Sequence, residues 1–165
     1  MPFRAASICG AAFACGTCRR GRSGKRFKCR ATPVFDFTTI AKGGWPQLMR
    51  MTADGKRLFI TMNVADRVVM FDTSDPEQPR LLSVLDLGVG SGPHYLALTR
   101  DERRLVVSDY FLNEDDFGKV HQEGDHKVHV AKVTRHSLEL DTRFNLDFNV
   151  AFPSGPARPH GVAMK

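Results

Sequence analysis

The sequence predicts an all-β chain of β-propeller blades, about two of them and the start of a third. A 16-residue stretch recurs. Pro46–Thr61 aligns with Pro93–Ser108 at an offset of 47 residues without a gap, and Pro46/Pro93, Thr52/Thr99, Asp54/Asp101, Arg57/Arg104 and Leu58/Leu105 are identical. A repeat of this length marks blades, solenoids or arrays. Each copy also reads as short apolar and β-branched runs separated by turn residues. Composition agrees: 14 Gly, 9 Pro and 13 Asp against 5 Glu in 165 residues favour turns over long helices. Four antiparallel strands per ~45 residues is the unit of a propeller blade. A β-sandwich would show the turns but needs no sequence repeat at this period.

The elements follow in order. Gln47–Thr52 is a first strand, and Asp54-Gly55 closes a hairpin because glycine supplies the positive φ of a tight turn. Arg57–Asn63 returns as a β-branched and aromatic strand, and Arg67–Thr73 is a third. Asp75–Pro79 is a turn, since its two prolines donate nothing to a ladder. Pro79–Leu87 is the outer strand. The second copy starts at His94–Thr99, carries a polar, glycine-containing insertion between Tyr110 and Lys127, and resumes at Lys127–Thr134 and Ser137–Phe148. A third copy begins at Pro159 with PHGVAMK. Propellers close with roughly 4–8 blades, and open blades leave sheet edges uncovered. The sequence is therefore expected to be the C-terminal part of a longer protein, or a truncated product.

Charge and cysteine divide the chain at the same place. Residues 1–35 hold 8 Lys/Arg and no acid, while the rest holds 16 Lys/Arg and 18 Asp/Glu. The overall charge of +6 thus comes from the leading segment. The near-neutral body offers no basic face for nucleic acid, and no apolar run approaches the ~18 residues of a membrane-spanning helix. All four cysteines, Cys9, Cys15, Cys18 and Cys29, lie in residues 1–33. This segment reads as a disordered extension or a misplaced start, as an Arg- and Ser-rich targeting peptide, or as a zinc site around Cys15-Gly16-Thr17-Cys18 with Cys9 and Cys29. Strong zinc motifs pair two such knuckles, and here there is one. Residues 34–165 form the blades. A cytoplasmic location is expected, with organelle targeting left open by the leading segment.

The repeat places Gln47, His94 and His160 at one structural position, after a proline at the start of a blade's first strand. That strand is innermost in a propeller, so His94 and His160 converge on the central channel. Two imidazoles there suit copper or zinc, while polar channel residues satisfied by water are the alternative. His121, His126 and His129 match no standard metal spacing and read as solvated surface histidines. His136 sits in a turn and takes no role. Glu114-Asp115-Asp116 could bind a hard cation only from a loop, because side chains alternate on a strand. Gly88-Val89-Gly90-Ser91-Gly92 lacks the Gly-Lys-Ser/Thr of a phosphate loop. No Gly-x-Ser-x-Gly elbow occurs, and the body has no cysteine nucleophile.

Several stretches carry a family resemblance: VMFDTSDPEQPRLLSVLDLG (Val69–Gly88), the start Gly92-Pro93-His94, then RRLVVSDYF, and LDFNVAFPSGPARPHG (Leu146–Gly161). Over residues 43–165 the chain resembles the C-terminal blades of the selenium-binding protein family, also known as methanethiol oxidases. The resemblance implies a seven-bladed propeller and a copper-dependent oxidation of methanethiol, a small thiol, by oxygen and water. The products are formaldehyde, hydrogen sulfide and hydrogen peroxide. It also implies selenium binding, which some members achieve through a cysteine. His160 matches a family histidine near the C-terminus, and His94 stands at the family's Gly-Pro-x position, where Gln also occurs. The family's further histidines and selenium-linked cysteine lie in an N-terminal half that this sequence does not contain. A non-catalytic ligand-binding propeller module is the alternative.

Overall fold

The computed structural model describes residues 4–9, 12–20, 27–42, 44–114 and 117–164, and of residues 4–32, 112–114 and 120–123 the backbone alone. Among them, helix is confined to two single 3₁₀ turns, at Phe37–Thr39 and Asn63–Ala65. The strands are β1 (Arg4–Cys9), β2 (Ala12–Arg20), β3 (Phe27–Asp36), β4 (Pro46–Met51), β5 (Arg57–Met62), β6 (Arg67–Asp72), β7 (Arg80–Asp86), β8 (Pro93–Leu98), β9 (Arg104–Asp109), β10 (Phe111–Glu114), β11 (Val120–Glu123), β12 (Lys127–Val133), β13 (Leu138–Leu140) and β14 (Leu146–Asp147). The chain is built of propeller blades. The first is the antiparallel sheet β4-β5-β6-β7, and the second has the order β8-β9-β12-β13, with β14 paired to β12.

The repeat identities build the same turn twice. In the first blade the Thr52 hydroxyl donates to Asp54 Oδ1 at 2.7 Å and accepts from the Arg57 amide at 3.0 Å, while the Lys56 amide donates to Asp54 Oδ1 at 3.0 Å. In the second, Thr99 donates to Asp101 Oδ1 at 2.6 Å and accepts from Arg104 N at 3.1 Å, and Arg103 N donates to Asp101 Oδ1 at 3.1 Å. Gly55 has φ +71, and Glu102 takes the equivalent place at φ +55. Threonine and aspartate side chains define this turn, which is why they recur while glycine does not. Glu102 also reaches across the blades: Oε1 accepts from the Ala53 amide at 2.6 Å, and Oε2 lies 3.6 Å from Arg57 Nη2. Thr52 is buried. Thr52→Val keeps its shape but strands the Arg57 amide, and is expected to lower the unfolding free energy by about 1–2 kcal/mol. A urea midpoint unchanged from the parent protein would show that the hydroxyl is dispensable.

One core joins the two blades. Phe59, Val68, Met70, Leu85 and Leu87 of the first pack with Leu96, Leu105, Val107, Ala131, Val133 and Leu138 of the second. A second cluster covers the other face of the first blade, where Leu58, Ile60, Met62, Val69 and Phe71 meet Phe37, Val34 and Phe35. There the Phe35 and Phe37 rings contact Phe71 edge-on, with centroids 4.7 and 5.8 Å away, a favourable aromatic geometry.

The backbone of the leading segment runs as an antiparallel meander, β1-β2-β3, with β3 ending at Asp36. The side chains of Cys9, Cys15, Cys18 and Cys29 lie outside the described residues. Three later regions differ from the sequence expectation. The insertion contains the hairpin β10-β11, and Ser137–Phe148 divides into β13 and β14 around the turn at Asp141–Phe144. Pro159–Met164 carries no strand; its Val162, Ala163 and Met164 lie near Tyr95, Ala97 and Leu98 of β8.

Candidate functional site

The position of His94 is set by the first blade. The Thr61 hydroxyl of β5 donates to the His94 carbonyl at 3.0 Å. Buried Asn63 donates through Nδ2 to the Gly92 carbonyl at 2.9 Å and to that of Pro93 at 3.3 Å. The glycine stretch before β8 wraps the carboxylate of Asp66. Oδ1 accepts from the Gly92 amide at 2.9 Å and the Ser91 hydroxyl at 3.4 Å, and Oδ2 accepts from the Gly90 amide at 3.0 Å. Successive amides of this kind form an anion cradle, and here an internal side chain fills it. The stretch that superficially resembles a phosphate loop is a structural clasp.

The structure brings His94 and His160 together. Their rings stack with centroids 4.9 Å apart and planes 20° from parallel. Tyr110, directly after β9, leans on both, at 5.5 Å from His94 and 4.4 Å from His160. His94 Nδ1 is buried and has no hydrogen-bond partner among the described residues. Burial, with the neighbouring His160 second, holds the His94 imidazole below the usual histidine range. It is therefore neutral at pH 7, with a ring nitrogen free to accept or to ligate. His160 is exposed on its other side, and Gln47 is exposed at the equivalent place on β4.

A second group of titratable side chains was not legible as a site. Asp109 ends β9, Asp125 follows the insertion, and His129 stands on β12. Their ligand atoms all lie within 4.8 Å of one another. The expectation of solvated surface histidines fails for His129 and for His126. His129 is 13% exposed, and its Nε2 is 2.6 Å from Oδ2 of fully buried Asp109. His126 is buried with φ +54, its Nδ1 3.2 Å from Asn149 Oδ1. Burial pushes the Asp109 carboxyl well above the usual carboxylate range, against the pull of His129. Burial raises Asp125 too, but the adjoining Asp109 carboxyl and Lys127 outweigh it and leave Asp125 below its ordinary value. The His121 side chain lies outside the described residues, as do Asp115, Asp116 and the side chain of Glu114, while His136 is exposed in its turn.

A scan against protein-family models finds no match, and a search of the curated proteins finds none either. Among solved structures, the chain is similar to a hypothetical selenium-binding protein from Sulfolobus tokodaii, with 19% identity and a TM-score of 0.57, over 84% of this chain and 36% of that one. It is also similar to the periplasmic gluconolactonase of Pseudomonas aeruginosa, with 18% identity and a TM-score of 0.53, over 87% of this chain and 39% of that one. The chain thus spans well under half the length of either. The likeness is one of fold: β-propeller blades of the kind found in selenium-binding and lactonase proteins.

Proposed function

We propose that this chain supplies the C-terminal blades of a methanethiol oxidase-like propeller, with His94 and His160 as two of the ligands of a copper ion. The observation that carries this reading is the stacked imidazole pair with the orphaned, buried Nδ1 of His94. A buried nitrogen with no hydrogen bond is costly unless something occupies it, and neutral imidazole nitrogen is a good copper ligand. The pair fits as part of a copper shell; two nitrogens are fewer than a complete one. Copper, when bound, supplies affinity for thiol sulfur and the change of oxidation state. The chain's own residues hold that site. Thr61 and Asn63 fix the start of β8, burial keeps His94 deprotonated, and Tyr110 packs against both rings. Oxidation of methanethiol to formaldehyde, hydrogen sulfide and hydrogen peroxide belongs to the whole propeller. A non-catalytic module binding selenium or another ligand is the second reading, favoured by the count of two imidazoles.

Copper retained by the complete propeller after dialysis, measured by elemental analysis, tests the site; the 165-residue chain alone is expected to bind copper weakly or not at all. His160→Ala is expected to cost most of the copper, and His94→Ala less if water or another donor can serve there. His136→Ala is expected to change nothing. Unchanged copper in a His94→Ala/His160→Ala variant would reject the channel site. Copper binding without thiol-dependent hydrogen peroxide release in the complete propeller would select the non-catalytic reading.

A further inference from the structure

Asp109, Asp125 and His129 come from three separate places in the second blade and converge at the base of its insertion. Asp109 immediately precedes Tyr110 and β10, and Asp125 follows Gly124 at the end of β11. Asp125 is fixed by its backbone: its amide donates to the Gly90 carbonyl at 3.0 Å, and its carbonyl accepts from Asn149 Nδ2 at 2.9 Å. His129 is fixed by the ladder, opposite Val107 on β9. The backbone that carries Asp125 and His129 is thus fixed by hydrogen bonds and by the ladder.

Two features point to a ligand. Asp109 is 0% exposed, and no donor group among the described residues reaches its Oδ1; the Asp125 carboxyl adjoins it, an acceptor that only a proton or a cation can bridge to it. Burying a carboxyl oxygen without a partner is costly, and a second carboxylate beside it raises that cost. The donors at hand serve other atoms: Lys127 Nζ is 2.9 Å from Asp125 Oδ2, and His129 Nε2 lies 2.6 Å from Asp109 Oδ2. A divalent cation would satisfy the orphaned oxygen and offset both carboxylates.

We propose that Asp109, Asp125 and His129 form a second metal site that takes a divalent transition ion, zinc by its donor set. Two carboxylate oxygens and one imidazole nitrogen are ordinary zinc ligands, and three protein ligands leave one position open for water or another small donor. Hard ions such as magnesium and calcium prefer all-oxygen shells, so the imidazole counts against them. The ion would tie the end of β9 to β12 and to the close of the insertion. This assignment does not rest on the oxidase reading and uses none of its ligands.

The test is isothermal titration of zinc chloride into the chelator-stripped chain carrying Cys9→Ser, Cys15→Ser, Cys18→Ser and Cys29→Ser, so that thiols take up no zinc, with stoichiometry checked by elemental analysis. One zinc per chain is expected. Asp125→Asn, at a partly exposed position, and His129→Asn are each expected to weaken binding roughly tenfold or more. Circular dichroism identifies any variant that has lost its strands. The His94→Ala/His160→Ala variant is expected to bind zinc as the parent chain does, so failure of the copper site and failure of this one are told apart. No saturable zinc uptake would overturn the proposal and leave a proton shared between the carboxyls. Uptake that survives Asp125→Asn in a folded chain, or that is lost with His94 and His160, would overturn it as well.

Discussion

Phe59→Ala is expected to remove about 3–5 kcal/mol of unfolding free energy, a large share of the roughly 5–15 kcal/mol that holds a typical domain together. Phe59 is 0% exposed at the middle of β5. Its cluster contains Leu85 and Leu87 from its own blade and Leu96, Leu105 and Val107 from the next. Truncation opens a cavity whose walls belong to two sheets. Each sheet is tied by its own ladder and cannot collapse inward, so little of the loss is recovered by relaxation. Phe59→Leu, which keeps most of the apolar volume, is expected to cost about 1–2 kcal/mol. Urea denaturation followed by far-ultraviolet circular dichroism gives both values. A loss below 1 kcal/mol for the alanine variant would mean that the blades do not share a core.

The blades were legible because the repeat preserves the residues that make the turns. Thr52/Thr99 and Asp54/Asp101 form the hairpin connection through their side chains, and Leu58/Leu105 bury the first residue after it. The positive φ falls on Gly55 in one copy and on Glu102 in the other, so the glycine signal alone would have found only the first. The insertion was harder. Its residues are mostly polar, and Phe111, Leu112, Phe117 and Val120 do not alternate, yet β10 and β11 pair in register from Phe111↔Glu123 to Glu114↔Val120. Backbone hydrogen bonding makes such a hairpin without an apolar pattern. Ser137–Phe148 reads as one strand, but Asp141 accepts from the Arg143 amide and side chain and bends the chain there. Pro159–Met164 repeats the start of a blade's first strand in sequence alone; a strand exists only where a second one pairs with it.

The two sites differ in how much of them local sequence could carry. His94 and His160 share a repeat position, so an offset in the alignment was enough to put them on one axis, and the structure stacks their rings. Tyr110 was missed because it lies two residues beyond the aligned stretch. Asp109 and His129 are 20 residues apart with the insertion between them. Only the register of β9 against β12 puts them together, and a polar insertion of arbitrary length erases that register from the sequence. Asp66 was missed for a different reason. A carboxylate in a loop reads as solvated, whereas here it adopts φ +56 and turns into the amides of Gly90 and Gly92.

That clasp makes Gly92 a sensitive glycine. Gly92→Ala is expected to lower the unfolding free energy by about 2–5 kcal/mol, from about 1–2 kcal/mol of left-handed backbone strain and the overpacking of a methyl group. Gly92 has φ +58, and a Cβ built there would sit 2.9 Å from the Cβ of Phe111, inside van der Waals contact. Phe111 opens β10 and cannot withdraw without disturbing that hairpin. Gly90→Ala separates the two contributions. Gly90 also has a positive φ, +82, but nothing lies within 4 Å of its Cβ position. It is expected to show the backbone cost alone, about 1–2 kcal/mol. Equal losses for the two variants in urea titrations would reject the clash with Phe111. The same substitution reaches the imidazoles. The Gly92 amide is held by Asp66 and its carbonyl by Asn63, two residues before His94. Displacing that backbone is expected to shift the His94 ring away from His160 and weaken copper retention, while His94 and His160 themselves remain unaltered.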